Sequence, residues 1–423
     1  MACDVLVVGG GPAGSTIAAL LAREGFRVVV IEKDHHPRFH IGESLLPMNL
    51  PLLEELGVKD TVENIAMPKF GVEFNSPHHN KTVEFLFEKA LDKNHPSAYQ
   101  VRRSQFDHIL LKNAAAKGAT VLEGHRASAV EFLPGGGARV TVSEEHAAPV
   151  VWEAKFLVDA SGRDTLLATK LAIKRANPRH NTAAIYGHFE GAKRLCGKAE
   201  GHISIFWFEH GWIWFIPLAD GTTSIGAVCR PDYFRQMRGK DVTAFFMETL
   251  AQSPALSERL TDATLTGPAS STGNYSYMAE HMAGRDYILL GDAFAFIDPI
   301  FSSGVYFAMS SAFEGAKVVC AALTAPAHYD AAVAQFDATV RRGLKTFSWY
   351  IYRMTRPAMR DMFMAPRNYL RMEEAMMSLL SGDVFRPSQV RARLLAFKAV
   401  FHVLSFAKWL RGLNRAPAAP ETA

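Results

Sequence analysis

Cysteine is scarce in this sequence, and no pattern pairs the few that occur. The 423 residues include 4 cysteines, which are Cys3, Cys196, Cys229 and Cys320. They lie far apart, without a CxxC pair and without the spacing of metal ligands. This excludes a disulfide scaffold and a zinc site. It predicts free thiols in a reducing compartment and no bound metal.

A leader peptide and a long apolar run are also missing. The chain enters the strand-like run DVLVVGG at once, without the basic region and the apolar region that make up a signal peptide. No apolar run reaches the length that a bilayer span requires. We therefore expect a cytoplasmic protein with neither a nucleic acid nor a membrane as its partner.

The net charge is small, at +4, but it is unevenly distributed. From Arg341 to Ala423 there are 15 Lys and Arg against 5 Asp and Glu, a balance of +10, so the preceding 340 residues sum to −6. These charges either cover the solvated faces of C-terminal helices or form a docking surface for an acidic partner. A carrier protein and an anionic membrane are examples of such a partner.

What is present is the composition of a globular protein, with 48% hydrophobic residues and 28 Phe, some of which an aromatic-lined cavity would account for. The first segment predicts a strand, a helix and a strand in DVLVVGGGPAG, STIAALLAREG and FRVVVIEK. Buried strands are predicted again at VVWEAKFLVDASG and DYILLGDAF, and residues 182–229 alternate as an antiparallel sheet does. The C-terminal part predicts helices that break at Pro357, Pro366 and Pro387.

This order predicts an α/β protein with a discontinuous nucleotide-binding domain at residues 1–75, 98–180 and 280–325. An antiparallel-sheet substrate domain is inserted at residues 76–97 and 181–279. Residues 326–423 form a helical C-terminal region.

A glycine-rich turn marks the nucleotide site. Gly9, Gly11 and Gly14 form GxGxxG after a strand and before a helix, and Glu32 ends the next strand. The glycines permit a tight turn, close approach of a pyrophosphate and close packing of helix on strand. Amides at the helix start suit the phosphates, and the carboxylate of Glu32 suits ribose hydroxyls. The predicted set at this turn is Gly9, Gly10, Gly11, Ala13, Gly14 and Glu32.

Further motifs identify the cofactor. GxGxxG, RSQFD, DASGR and GDAFAFIDP, in this order, resemble the FAD-binding domain of the single-component flavin monooxygenases, so the fold expected is a Rossmann-type domain of the GR2 and PHBH kind. The resemblance implies FAD, with Arg103 on the flavin side. Asp159 and Asp292 follow buried strands, where Asp292 suits the ribityl or ribose hydroxyls. Since no second GxGxxG exists for NAD(P)H, electrons would come from transient nicotinamide binding or from a separate flavin reductase.

Four stretches narrow the resemblance. RFHIGESLLP, PKFGVEF, GWIWFIP and DPIFSSGV are similar to stretches of the flavin-dependent halogenases, in the branch that acts on phenolic, pyrrolic or carrier-bound substrates. Trp212 and Trp214 belong to the WxWxIP pattern, and Lys69 to the K-x-G motif. The resemblance implies that Trp212, Trp214 and Phe301 line the substrate tunnel. The resemblance implies that FADH2, O2 and chloride or bromide yield hypohalous acid, which Lys69 relays to an electron-rich aromatic ring. Desolvation would lower the pKa of this amine and raise its nucleophilicity.

The same resemblance assigns further residues to the site. Ser303 and Gly304 precede a long helix, so their backbone amides suit a halide. Val305 and Glu43 are expected at the cofactor. Phe301 stands where the tryptophan-specific branch carries a glutamate, which argues against free tryptophan as substrate and leaves room for a member that has lost halogenation.

Each assignment has a plainer alternative. An isolated Lys69 would ordinarily be a solvated surface lysine, and the two tryptophans would be core residues or a seal between substrate and flavin. Three hypotheses therefore stand: a flavin halogenase, a related FAD oxidoreductase (a hydroxylase, an epoxidase or a geranylgeranyl-reductase-like enzyme), and a flavin-binding protein with a vestigial site.

Overall fold

The computed structural model describes residues 1–177, 180, 182–237, 239–273, 276–385 and 390–412. Over these residues the strands are β1 Ala2–Val8, β2 Val28–Ile31, β3 Met67–Lys69, β4 Gly71–Ser76, β5 Lys81–Leu86, β6 Ala98–Gln100, β7 Thr120–Leu122, β8 His125–Phe132, β9 Ala138–Glu144, β10 Val150–Asp159, β11 Lys174–Ala176, β12 Ala183–Glu190, β13 Ile203–Phe208, β14 Gly211–Pro217, β15 Thr223–Cys229, β16 Thr264–Leu265, β17 Ser270–Thr272, β18 Tyr277–Ala279, β19 Ala283–Gly284, β20 Tyr287–Leu289 and β21 Ala295–Phe296. The α-helices are α1 Pro12–Arg23, α2 Leu50–Leu56, α3 Lys59–Glu63, α4 Arg103–Ala116, α5 Leu166–Lys170, α6 Pro231–Phe234, α7 Val242–Leu250, α8 Pro254–Arg259, α9 Gly304–Thr324, α10 Tyr329–Ile351, α11 Pro357–Met364, α12 Met372–Ser381 and α13 Val390–Leu410.

The first sheet carries the nucleotide fold. Its order is β19-β20-β10-β1-β2-β7, with β8 and β9 continuing from β10. Strand β1 lies parallel to both β10 and β2, which are the two strands that the motifs predict beside it. Val28–Ile31 is apolar and buried throughout, as a parallel strand covered on both faces must be. Helices α1, α4 and α9 pack on this sheet. The predicted α/β class with a Rossmann-type domain is confirmed.

The second sheet is largely antiparallel and has the order β16-β12-β15-β14-β13-β4-β5. Strand β4 joins it through β13 and through its hairpin with β5. A boundary at residue 75 places nearly all of β4 with the first sheet, whereas its hydrogen bonds lie in the second. The cause is long-range pairing, which local sequence does not reveal. The division into domains is otherwise a prediction.

The C-terminal helices form a third layer beside the second sheet. A separate core holds the aromatic face of β13 and β14 together with α11, α12 and α13. Six methionines are buried in it, namely Met354, Met359, Met364, Met372, Met376 and Met377. Helix α10 packs on α9 and joins both cores: its first half is buried in the core of the first sheet, and its last turns are buried in the core of the C-terminal helices. Helix α11 begins at Pro357, a favourable place for proline, while the break expected at Pro387 lies outside the described residues.

All four cysteines are unpaired in the structure. Within the described residues, no helix combines the length and the apolar character needed to cross a bilayer.

Candidate active site

A cavity of about 590 Å³ lies between the first and second sheets. Its lining includes the glycine turn that follows β1, strand β14 and the start of α9. The motifs from both ends of the chain therefore meet at one cavity, because parallel strands of the first sheet end at the same edge.

The glycine turn has the shape that a pyrophosphate needs. Gly9 has a φ of +102°, and a Cβ there would lie 2.3 Å from the carbonyl oxygen of Ala160. A Cβ on Gly14 would lie 1.8 Å from the carbonyl oxygen of Gly9, so this glycine serves packing. A Cβ on Gly11 would point into the cavity and approach only Arg38 Nη2, at 3.6 Å. Space for a phosphate thus lies over Gly11, with a guanidinium on its far side.

Glu32 is buried at the end of β2 and lines the cavity. Its carboxylate accepts hydrogen bonds from the amide of Gly10 at 2.6 Å and from the amide of Asp34 at 2.9 Å. These bonds fix the carboxylate beside the glycine turn, where it can still accept from a ribose hydroxyl. Ala13 lines the cavity in the first turn of α1, among the amides that favour an anion.

Arg103 is buried at the start of α4 and lines the cavity. Its guanidinium donates to both oxygens of Asp107, at 2.7 and 2.9 Å, and to the carbonyl of Ile41 at 3.0 Å. Burial opposes the charged form, but the carboxylate of Asp107 outweighs it and raises the pKa of Arg103. The predicted flavin-side arginine is therefore held by an ion pair four residues along its own helix.

The two predicted aspartates differ in their surroundings. Asp292 lines the cavity, and burial raises the pKa of its carboxyl to about 7, against the lowering effect of Arg103. A carboxyl of this kind can donate or accept a hydrogen bond to a cofactor hydroxyl. Asp159 lies outside the cavity lining, and its oxygens accept from the amides of Ser161 at 2.9 Å and Leu167 at 2.7 Å. Its contacts hold the turn after β10, so a cofactor contact for it remains only a prediction.

Glu43 is buried in the loop before α2 and lines the cavity. Its two oxygens lie 3.0 and 3.1 Å from Nε2 of His188, which is on β12. This contact joins the loop before α2 to strand β12 of the second sheet.

Lys69 is 1% exposed, so the surface alternative is wrong. Strand β3 pairs with β6 and carries its amine inward, where Nζ donates to Ser44 Oγ at 2.9 Å and to the carbonyl of Leu45 at 3.0 Å. The amine also lies 5.2 Å from the centre of the Phe87 ring. Burial lowers the pKa of this amine from its ordinary value of 10.5 to about 7. Lys69 does not line the cavity itself, but its hydrogen-bond partner Ser44 does.

Trp212 and Trp214 form one wall of the cavity. Alternation along β14 turns both rings toward the cavity, with their centres 6.0 Å apart. Trp214 donates to Ser224 Oγ at 3.2 Å, and its ring packs over Gly226, where a Cβ would lie 2.3 Å from it. The tryptophans are therefore both packed residues and cavity-lining residues.

The start of α9 forms the other wall. Ser302 has a φ of +55°, which turns the chain so that Gly304 and Val305 line the cavity. A Cβ on Gly304 would meet open space, so a halide is sterically allowed there. Ser303 is buried and its hydroxyl makes no capping bond, and Phe301 packs in the core of the C-terminal helices instead of lining the cavity.

Five further residues belong to this constellation although their roles were not read from the sequence. They are Arg38, Ser44, Asp107, His188 and Asp298. Asp107 has a local signal, since it stands four residues after Arg103, the spacing of neighbouring side chains on one face of a helix. The carboxyl of Asp298 accepts from the amide of Ile300 at 3.2 Å, and burial raises its pKa to about 6.

These features fit a flavin dinucleotide. The glycine turn opens to the cavity at Gly11, opposite Arg38, and leaves space for a pyrophosphate. Glu32 lies beside this turn, where it can accept a hydrogen bond from one ribose. Trp212 and Trp214 add two aromatic rings to the lining of the same cavity, which also includes the start of α9.

Comparison with known proteins gives consistent results. The model of a family described as FAD binding domain matches residues 2–338. The flavin-dependent halogenase armH1 of Armillaria mellea is 35% identical over 344 residues, which cover 76% of this chain and 65% of that protein. The 1H-pyrrole-2-carbonyl-(peptidyl-carrier protein) chlorinase of Pseudomonas fluorescens is 31% identical over 409 residues, or 90% of this chain and 89% of that protein. The chain therefore spans slightly less than two thirds of the Armillaria protein.

Among solved structures, the flavoprotein/dehydrogenase from Cytophaga hutchinsonii has a TM-score of 0.88 to this chain at 28% identity. The match covers 96% of this chain and 100% of that one. Nearly the whole chain, including the C-terminal helices, therefore has a counterpart of the same fold.

Proposed function

The chain belongs to the flavin-dependent halogenases, a family built on the FAD-binding domain that matches residues 2–338, and we propose that it halogenates an electron-rich aromatic ring of the phenol or pyrrole type. Reduced FAD would supply the electrons that activate O2, and chloride or bromide would be the second co-substrate. The Pseudomonas relative is named for a carrier-bound pyrrole, so either a free or a carrier-bound ring is proposed as substrate.

The observation that carries this proposal is the buried amine of Lys69. With a pKa lowered to about 7, a large share of this amine is neutral at neutral pH, and only the neutral amine is a nucleophile. The amine would accept halogen from hypohalous acid, forming an N–X bond in place of N–H with release of water. The aromatic ring would then take the halogen and return its proton to the nitrogen.

The remaining residues would bind the cofactor and the halide, position the flavin relative to the substrate ring, and exclude bulk water. We place the pyrophosphate over Gly11 and one ribose at Glu32, with Asp292 on hydroxyls of the cofactor. The halide would lie against the backbone at Ser303 and Gly304. Trp212 and Trp214 would separate the flavin from the ring to be halogenated and keep bulk water away from hypohalous acid.

A separate flavin reductase is proposed as the transient electron source. We propose this reductase because the sequence contains one GxGxxG turn and no second one for NAD(P)H. Reduced FAD from an unrelated reductase should therefore sustain turnover.

The test supplies reduced FAD from a generic reductase, bromide or chloride, and a panel of phenols, pyrroles and indoles. Halogen isotope patterns in the products are measured by mass spectrometry for the wild type, for Lys69→Met and for Lys117→Met. Lys117 is exposed at the end of α4 and is the matched control. We expect halogenated phenol or pyrrole from the wild type and the control, and none above background from Lys69→Met. Hydroxylated product without halogen would refute the proposal, and halogenation by Lys69→Met would refute the relay alone.

Phe301 favours a second candidate, a related FAD oxidoreductase that does not halogenate. This ring fills the core next to the methionines instead of presenting a polar group to the cavity, and the Cytophaga structure with the same fold is described as a flavoprotein/dehydrogenase. Oxygen-dependent hydroxylation or epoxidation, or reduction of a substrate double bond by reduced FAD, in the same assay would identify this candidate.

A further inference from the structure

The outer face of α13 is apolar and exposed. Leu395, Val403, Phe406, Trp409 and Leu410 are each between 58% and 68% exposed. Positions 395, 403, 406 and 410 lie on one side of an α-helix, and position 409 lies next to them. The stripe extends over about 22 Å at a rise of about 1.5 Å per residue. The rings of Phe406 and Trp409 stack with their centres 5.9 Å apart, which makes one continuous aromatic surface.

The inner face of the same helix already serves the core. Val390, Leu394, Phe397 and Phe401 are buried against the C-terminal helices. A surface helix of a globular protein ordinarily turns one apolar face inward and a polar face outward. Helix α13 has apolar residues on both sides, so the packing of the described chain does not use the outer stripe.

A neighbouring turn extends the stripe. Tyr369–Arg371 packs against α13, and Tyr369 and Leu370 are 67% and 75% exposed. Leu370 has a φ of +53°, an uncommon conformation for a leucine. The turn holds that side chain out in solvent. An exposed apolar surface of this size marks an interaction site.

The charge of the helix indicates the kind of partner. Val390–Leu410 contains four basic residues, Arg391, Arg393, Lys398 and Lys408, and no Asp or Glu, and Arg411 follows it. Arg391 and Arg411 are exposed at the two ends of the stripe. A partner therefore has to match an apolar stripe between two positive ends.

We propose that α13 and the adjoining turn dock this protein on an anionic lipid bilayer, with the helix lying in the plane of the interface. Side chains that are about two thirds exposed stand out from the surface, and they can enter a lipid surface without a complementary groove. Trp and Tyr favour the headgroup region, and basic residues at the ends attract anionic lipid.

This proposal differs from the expectation that no membrane is a partner. Of the acidic partners that the charge distribution suggests, it selects an anionic membrane over a carrier protein. Docking of this kind does not span the bilayer, in agreement with the hydropathy of the described helices. It does not rest on the proposed halogenation, since no residue of the stripe lines the cavity.

The test measures binding of the FAD-loaded full chain to vesicles by flotation. One set contains phosphatidylcholine alone, and the other contains about a third phosphatidylglycerol. Trp409 reports insertion directly, because fluorescence shifts to the blue when an exposed indole enters lipid, and the other five tryptophans are more buried. The variant is Phe406→Ser with Trp409→Ser. The matched control is Met278→Ser, an exposed apolar residue on β18.

We expect the wild type and the control to bind anionic vesicles, and the double variant to bind them at least about tenfold more weakly. All three proteins should hold the same amount of FAD, which shows that they are folded. No binding to anionic vesicles overturns the proposal, as does equal binding by the double variant. Equal binding to neutral vesicles overturns the role of the basic ends. A wild-type dimer that the double variant loses, without vesicle binding, assigns the stripe to a second copy instead.

Discussion

Replacing Lys69 by methionine tests the central electrostatic claim through stability instead of activity. Methionine keeps the length of the side chain and removes the charge. Burial lowers the pKa of this amine from 10.5 to about 7, so in the folded protein the charged form is disfavoured. Between pH 7 and pH 10.5 the unfolded chain binds more protons at this residue than the folded chain. The wild type therefore gains stability as the pH rises through this window, and the full penalty applies below pH 7.

The size of the effect follows from that pKa. At about 1.4 kcal/mol for each pH unit, the buried charge costs about 5 kcal/mol below pH 7. By the same relation, the cost of the buried charge is about 2.7 kcal/mol smaller at pH 9 than at pH 6. Methionine also leaves Ser44 Oγ and the carbonyl of Leu45 without their donor, a loss of about 1–3 kcal/mol each. That loss is the same at both pH values, so the change between them isolates the charge.

The assay is denaturant unfolding of the FAD-loaded wild type and Lys69→Met at pH 6 and pH 9. We expect the stability of the wild type relative to the variant to rise by about 2.7 kcal/mol from pH 6 to pH 9. Groups that titrate equally in both proteins cancel in this comparison. Lys117→Met, at an exposed position, should show no such change relative to the wild type. A relative stability that stays constant within about 1 kcal/mol would mean that Lys69 keeps an ordinary lysine pKa, and the neutral-amine relay would lose its basis.

Two further predictions concern the cofactor cradle. Gly14→Ala should prevent folding or sharply lower Tm, because its Cβ would lie 1.8 Å from the carbonyl oxygen of Gly9. Gly11→Ala should fold normally, but fluorescence titration should show that it binds FAD at least about tenfold more weakly. Equal FAD affinity in Gly11→Ala would place the pyrophosphate elsewhere. Asp107→Asn should lower the free energy of unfolding by about 3–5 kcal/mol, because it leaves the buried guanidinium of Arg103 without its carboxylate. A loss below about 1 kcal/mol would show that Arg103 is solvated or paired otherwise.

The described structure also shows why some expectations could be drawn from the sequence and others could not. Gly9 and Gly14 were assigned correctly because their roles depend on backbone geometry within a few residues. Gly118, which has a φ of +108° just after α4, follows the same local rule. Local steric rules of this kind do not require knowledge of the rest of the fold.

Contacts between distant segments were not accessible in this way. Glu43 meets His188, and the two residues are 145 positions apart. Asp159 follows a buried strand just as Asp292 does, but neighbouring amides take up both of its oxygens. Only the arrangement around each carboxylate separates a residue that holds a turn from one that faces the cavity.

The sequence by itself determined the fold class, the place of the nucleotide turn and the family, because strand periodicity, glycine spacing and motif order are properties of short segments. Tertiary structure alone decided that Lys69 is buried, that Phe301 packs away from the cavity, and that α13 leaves an apolar face in solvent. The physical reason is that burial depends on which distant elements pack against a residue. Burial in turn sets the charge state of an amine and the partner that a surface can take.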